Sequence, residues 1–247
     1  MNLSRCERWS IAFIASAVVL AFLAPAIAQP SHYHAFADRR SWLGVANAAN
    51  VLSNIAFIGV GIVGVARLIF DRRFNGVVEA CLWSTAIGLA LTGVGSIVYH
   101  LAPDDTTLVF DRLPMTLGFA GVFATAVAQR VSLRMAQWVL FGLVLAGPAS
   151  VAYWSASGNL TAYVVVQYVG ALGLLMLVAL TRRANDPFPW TWVIILYALA
   201  KCAELLDHAI FEATNMTVAG HMVKHLLAAA AGAAALWPLF TRRLRDA

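Results

Sequence analysis

Charge is scarce in this chain: Asp, Glu, Lys and Arg make up only 12% of its 247 residues, where a soluble domain carries about a quarter. That shortage excludes a soluble domain of ordinary composition. Cysteine is nearly absent too. Cys6, Cys81 and Cys202 are odd in number, far apart and without C-x-x-C spacing, which excludes a disulfide framework and a thiolate metal site. They read as small hydrophobes. Alternating polar and apolar residues of the strand type are also lacking, which leaves helices as the membrane-spanning elements. No long basic run exists; the net charge of +5 comes from short arginine clusters that topology explains, so nucleic acid is excluded as a partner. No internal repeat is present, and no protein partner is implied.

What the chain has is apolar length. Hydrophobic residues make up 61% of it and its mean hydropathy is +0.77. A leading apolar segment at about 9–28 is followed by seven runs at about 48–69, 78–101, 108–129, 135–154, 161–181, 190–210 and 218–240, each near the roughly 17 to 25 residues that cross a bilayer. The pattern predicts an all-α, multi-pass membrane protein: a seven-helix bundle over 30–247, preceded at 1–29 by a further hydrophobic helix. That first segment, with Arg5 and Arg8 ahead of it and Ala26 and Ala28 near its end, reads either as a retained eighth helix or as a signal peptide. The alanine-rich stretch at 227–236 reads as close helix packing.

Basic residues fall at every second connection: Arg67, Arg72 and Arg73; Arg130 and Arg134; Arg182 and Arg183; Arg242, Arg243 and Arg245. The positive-inside rule puts these in the cytoplasm together with the C-terminus. The connections at 102–105, 155–159 and 211–216 carry no Lys or Arg and lie outside.

Ionisable residues inside apolar runs are costly and mark a site or a buried pair. Ser96 and His100 stand four residues apart at the outer end of the second core run. Asp111 lies about a turn and a half into the next run, which returns antiparallel, and His221 and His225 share a face at the outer start of the last. All five converge toward the outer leaflet. Three neutral imidazoles suit a tetrahedral Zn²⁺ with one open position, and Asp111 is the nearest base, since Met222 stands where a zincin carries glutamate. A haem reading explains less, because His221 and His225, one turn apart, cannot reach opposite faces of one haem.

The segment "GSIVYHLAPDDTTLVFDRLPM" (95–115) followed by "GHMVKH" (220–225) resembles the S-x-x-x-[FY]-H, D-x-L-P-M and H-x-x-x-H motifs of alkaline ceramidases. The likeness runs from about 36 to 240 and is that of a bacterial member, which implies a bacterial inner membrane. These enzymes share a seven-helix superfamily with progestin and adiponectin receptor-like proteins. Position by position, the resemblance implies His100, His221 and His225 as zinc ligands, Ser96 and Asp111 as the polar pair beside them, and a ceramide-like membrane lipid as substrate. The receptor branch leaves a second possibility, a zinc-containing lipid sensor without turnover.

Eukaryotic members also hold calcium near the start of the first core helix. Here Asp38 and Asn47 are the matching candidates in a segment otherwise poor in carboxylates, so a Ca²⁺ site needing about 6 to 8 oxygens is doubtful. Asn47, Asn50 and Asn54 read as helix-packing groups, His32 and His34 as surface groups, and Tyr99 as an interfacial aromatic. In the sixth core run Lys201 and Glu204 read as a buried ion pair, with Glu204 or Asp207 also a candidate to steady a ligand histidine.

Overall fold

The computed structural model describes residues 4–70, 73–74, 76–181 and 186–241. Of the arginines used for orientation, Arg72, Arg182, Arg183, Arg242, Arg243 and Arg245 lie outside these residues. Within them, pairing of the β type is confined to two isolated bridges, and the regular elements are helices: α1 (Arg5–Leu23), α2 (Ala48–Ser53), α3 (Ile55–Phe70), α4 (Gly76–Leu101), α5 (Asp105–Arg130), α6 (Leu133–Ser157), α7 (Thr161–Val164), continued by a π-helical turn (Val165–Val169) into α8 (Gly170–Leu180), α9 (Trp190–Leu205), α10 (Asp207–Ala213), α11 (Gly220–Ala235) and α12 (Trp237–Phe240).

Among the described residues, six spans are long and apolar enough to cross a membrane: Arg5–Leu23, Ala48–Phe70, Gly76–Leu101, Asp105–Arg130, Leu133–Ser157 and Thr161–Leu180. The chain is an all-α, multi-pass membrane protein. The last two apolar runs differ from expectation, for each is broken. Leu206 divides α9 from α10 and Leu236 divides α11 from α12, so α9 and α11 have 16 residues each, about 24 Å of helix. Pro238 explains the second break, because its ring and missing N–H cannot continue the turn that Ala234 would accept. The first segment also ends earlier than the apolar run suggests. α1 stops at Leu23, two residues before Pro25, whose ring disfavours helix at the residue ahead of it.

Neighbouring helices are antiparallel along α3 to α6, and α11 packs against α9 and α3. A central cluster of Phe57, Leu82, Ala86, Leu89, Ala229 and Leu236 joins α3, α4, α11 and the Leu236 turn. The alanines of α11 serve that contact as the sequence implied, with Ala229 2% and Ala235 3% exposed. Large apolar side chains such as Ile62, Leu91, Phe141 and Leu199 point outward, where acyl chains would meet them.

α1 is fastened at both ends. Ser4 and Glu7 cap it reciprocally, and Ser132, ahead of α6, donates to Glu7 Oε1 at 2.8 Å. Beyond its other end, Leu160 N donates to the Ile27 carbonyl at 2.8 Å, and Thr161 Oγ1 donates to the Pro25 carbonyl at 3.1 Å. Residues 24–47 then run irregularly over the end of the bundle that carries the C-terminus of α4 and the N-terminus of α5. All three cysteines are free.

Candidate metal centre

Local sequence brings α4 and α5 into contact at the level of Ser96 and Asp111. Asp104 caps α5, its carboxylate accepting from Thr107 N at 2.7 Å while Thr107 Oγ1 accepts from Asp104 N. Ten residues on, Pro114 lacks the N–H that would bond the Phe110 carbonyl. Gly95 fits against that carbonyl. A Cβ there would lie 1.9 Å from Phe110 O, so only glycine allows the approach. Ser96 and Asp111 are thereby brought to one level of the two helices, a Cβ on Gly95 standing 3.3 Å from Asp111 N. Both are buried, as is His100 one turn beyond Ser96.

α11 supplies the other two imidazoles. Its first turn is held by Asp207, whose Oδ1 accepts from His221 N at 2.7 Å while Oδ2 accepts from Ala37 N at 2.9 Å. Gly220 lets α11 abut α9, since a Cβ there would lie 2.3 Å from the Ala203 carbonyl. The three rings converge, with centroids 4.9 to 5.0 Å apart and one candidate ligand atom from each within 4.8 Å of the others. All three residues are 5% exposed or less.

Hydrogen bonds fix which nitrogen of His225 faces inward. The Ser53 hydroxyl lies 2.9 Å from the Asn50 carbonyl and 2.8 Å from His225 Nδ1; when it donates to that carbonyl, it accepts from the imidazole. Nδ1 then carries the hydrogen and Nε2 presents its lone pair. That lone pair stands 3.3 Å from His100 Nε2. His100 Nδ1, also buried, has no hydrogen-bond partner, so neither tautomer of His100 is satisfied by the protein. A cation satisfies both facing nitrogens. At metal–nitrogen bonds of about 2.0–2.1 Å, two ligands of a tetrahedral ion stand about 3.3–3.4 Å apart, which is the separation of the His100 and His225 nitrogens, and His221 brings a third donor within 4.8 Å. The donor set fits a metal.

Phe36 covers this cluster, its ring 4.7 Å from His100 and 4.6 Å from His221. An open cleft lies beside it, lined by Ser31, His34, Phe36, Arg39, Asn47 and Pro103.

The remaining candidates fall as follows. Glu204 touches no histidine; it pairs with Lys201 and, at 2.8 Å, with Lys224, whose ammonium is in turn 3.3 Å from His221 Nε2. Asp207 steadies His221 through its backbone rather than its ring. Asp38 and Asn47 form no oxygen cage. Both carboxylate oxygens of Asp38 bind Arg40, at 2.9 and 2.7 Å, and the Asn47 amide donates to the His100 carbonyl at 2.8 Å. The Arg40 guanidinium holds the Asp38 carboxyl below the usual carboxylate range. Asn50 and Asn54 tie down backbone, donating to the Asp38 and Asn50 carbonyls.

Two expectations are corrected. Tyr99 is not a surface aromatic: it is 1% exposed and packs with Phe36, Leu108 and Trp154, because a phenol inside a bundle is tolerable once its hydroxyl finds a partner. That partner is His34, whose Nδ1 is 2.9 Å from the hydroxyl and whose Nε2 is 3.2 Å from Asp105, so His34 is no free surface group. Sequence reasoning passed over Ser53, Lys224 and Phe36. Lys224 carried a visible signal, as a charge in an apolar run, whereas Ser53 and Phe36 carried none.

A family model described as Ceramidase matches residues 43–239. No curated protein and no solved structure matches the chain.

Proposed function

The chain belongs to the ceramidase family, and on that premise we propose that it is a zinc-dependent hydrolase of the amide bond of a ceramide-like membrane lipid, releasing a sphingoid base and a fatty acid. The observation that carries this reading is the buried triad of His100, His221 and His225 on the same side of the bundle as a buried hydroxyl–carboxylate pair. Bound there, zinc supplies Lewis-acid polarisation of the scissile carbonyl and renders water acidic near neutral pH. Asp111 accepts a proton from the attacking water at a carboxylate oxygen. It then delivers that proton to the amide nitrogen as the C–N bond breaks, so the amine leaves neutral. Ser96, next to Asp111, orients the water or donates to the developing oxyanion.

Phe36 excludes bulk water from above, and the cleft beside it admits the polar end of the lipid while the chains stay among the helices. Calcium has no part in this reading, because the Asp38 carboxylate is taken by Arg40.

The same reading assigns seven spanning passes, with α9–α10 and α11–α12 as the last two and α1 retained as an eighth. The fastening of α1 at both ends supports its retention. Arg130 and Arg134 flank the α5–α6 turn, at the opposite end of α5 from Asp111. The positive-inside rule therefore assigns the metal centre to the outer leaflet and the C-terminus to the cytoplasm.

The test is a paired one. Purified protein is expected to carry about one zinc per chain by elemental analysis and to release fatty acid from N-acyl sphingoid lipid by mass spectrometry, and His100→Ala is expected to lose both. Lipid binding without release would instead favour a zinc-containing sensor.

A further inference from the structure

Lys224 is a half-buried charge beside the histidines for which the hydrolytic reading has no use. It lies between two metal-site histidines in sequence, and its ammonium donates to Glu204 Oε1 at 2.8 Å and to His221 Nε2 at 3.3 Å. An ammonium has hydrogens to give and no lone pair to offer, so in this contact His221 Nε2 is the acceptor. Metal binding through Nε2 needs the same lone pair. Binding through Nδ1 leaves Nε2 carrying the hydrogen of a neutral imidazole, with nothing for the ammonium to donate to. On either branch, the Lys224–His221 contact and an occupied metal site exclude each other, and repulsion between the ammonium and a dication acts in the same direction.

We propose that Lys224 is a resident counterfeit cation of the metal centre: it occupies His221 when no metal is bound, and metal loading drives it back onto Glu204. This rests on the metal reading above. Glu204 suits the role of receiver because it already holds one proton of Lys224 and is fixed by Lys201 from the same helix. Lys224 is thus a positioning residue that sets metal affinity through His221, and Glu204 acts through Lys224.

The sign of the effect separates this from a structural role, for damage to packing weakens metal binding whereas removal of a competitor strengthens it. Lys224→Met keeps the apolar stem and leaves Glu204 paired with Lys201, so no buried carboxylate is orphaned. Zinc affinity is measured on the detergent-purified full chain by competition with a chromophoric chelator. Lys224→Met is expected to bind zinc about tenfold tighter or more, within the range over which groups around metal ligands tune affinity. Glu204→Gln is expected to bind about tenfold weaker, and the double variant to match Lys224→Met. Zinc affinity in Lys224→Met equal to or weaker than wild type, with wild type loading normally, overturns the lysine proposal alone. Wild type that takes up no zinc overturns the metal reading and this proposal with it.

Discussion

Ser53 has the clearest role of any residue that the sequence did not mark. When its hydroxyl donates to the Asn50 carbonyl, it accepts from His225 Nδ1 and so selects the tautomer that turns Nε2 toward His100. Ser53→Ala removes that acceptor. The variant is expected to fold and to bind zinc about 10- to 100-fold more weakly in the same chelator competition, the usual cost of losing such a partner; unchanged affinity would show that the tautomer is set elsewhere. Ser96, His100, Asp111, His221 and His225 were legible because each is a polar intruder in an apolar run, at a spacing that fixes its face. Ser53 was not, since serine is common in membrane helices and its meaning lies in a partner 172 positions away.

At the scale of elements, the site depends on how closely α4 meets α5. Gly95 stands against the Phe110 carbonyl that Pro114 leaves without its helical donor, one residue ahead of Asp111. Gly95→Ala puts a methyl 1.9 Å from that oxygen, and backbone rather than a side chain must yield. The expected cost is about 1–3 kcal/mol, as for other overpacked contacts, read as a lower melting temperature together with lost turnover. Gly118→Ala is the control, because a Cβ there meets nothing within 4 Å; it is expected to leave both readings near wild type. Helix existence was legible in the apolar runs, and helix interruption was not. The breaks at Leu206 and Leu236 lie inside continuous hydrophobic stretches, where the hydropathy that announces a span says nothing about its straightness.

For the whole molecule, composition alone established the membrane class, while the irregular segment 24–47 escaped pattern reading because it has no period. That segment nevertheless carries Phe36 over the histidines and is pinned by Asp207 and by the Asp38–Arg40 pair. The pair gives the fold an acid limit. The Asp38 pKa is lowered in the folded protein, so its stabilisation is present above the unfolded aspartate value of about 3.9 and is lost as pH falls through the folded value. Asp38→Asn is expected to lower thermal stability near neutral pH and to flatten its decline below about pH 4; an unchanged acid limb would show that other carboxylates govern it. The central claim, that Asp111 moves the proton while the histidines hold the metal, is tested most directly by the turnover of N-acyl sphingoid lipid by wild type and Asp111→Asn at equal zinc content. The expected result is stoichiometric release of base and fatty acid by wild type and about 10²- to 10⁴-fold slower release by the variant; equal rates, or no release by zinc-loaded wild type, would contradict it.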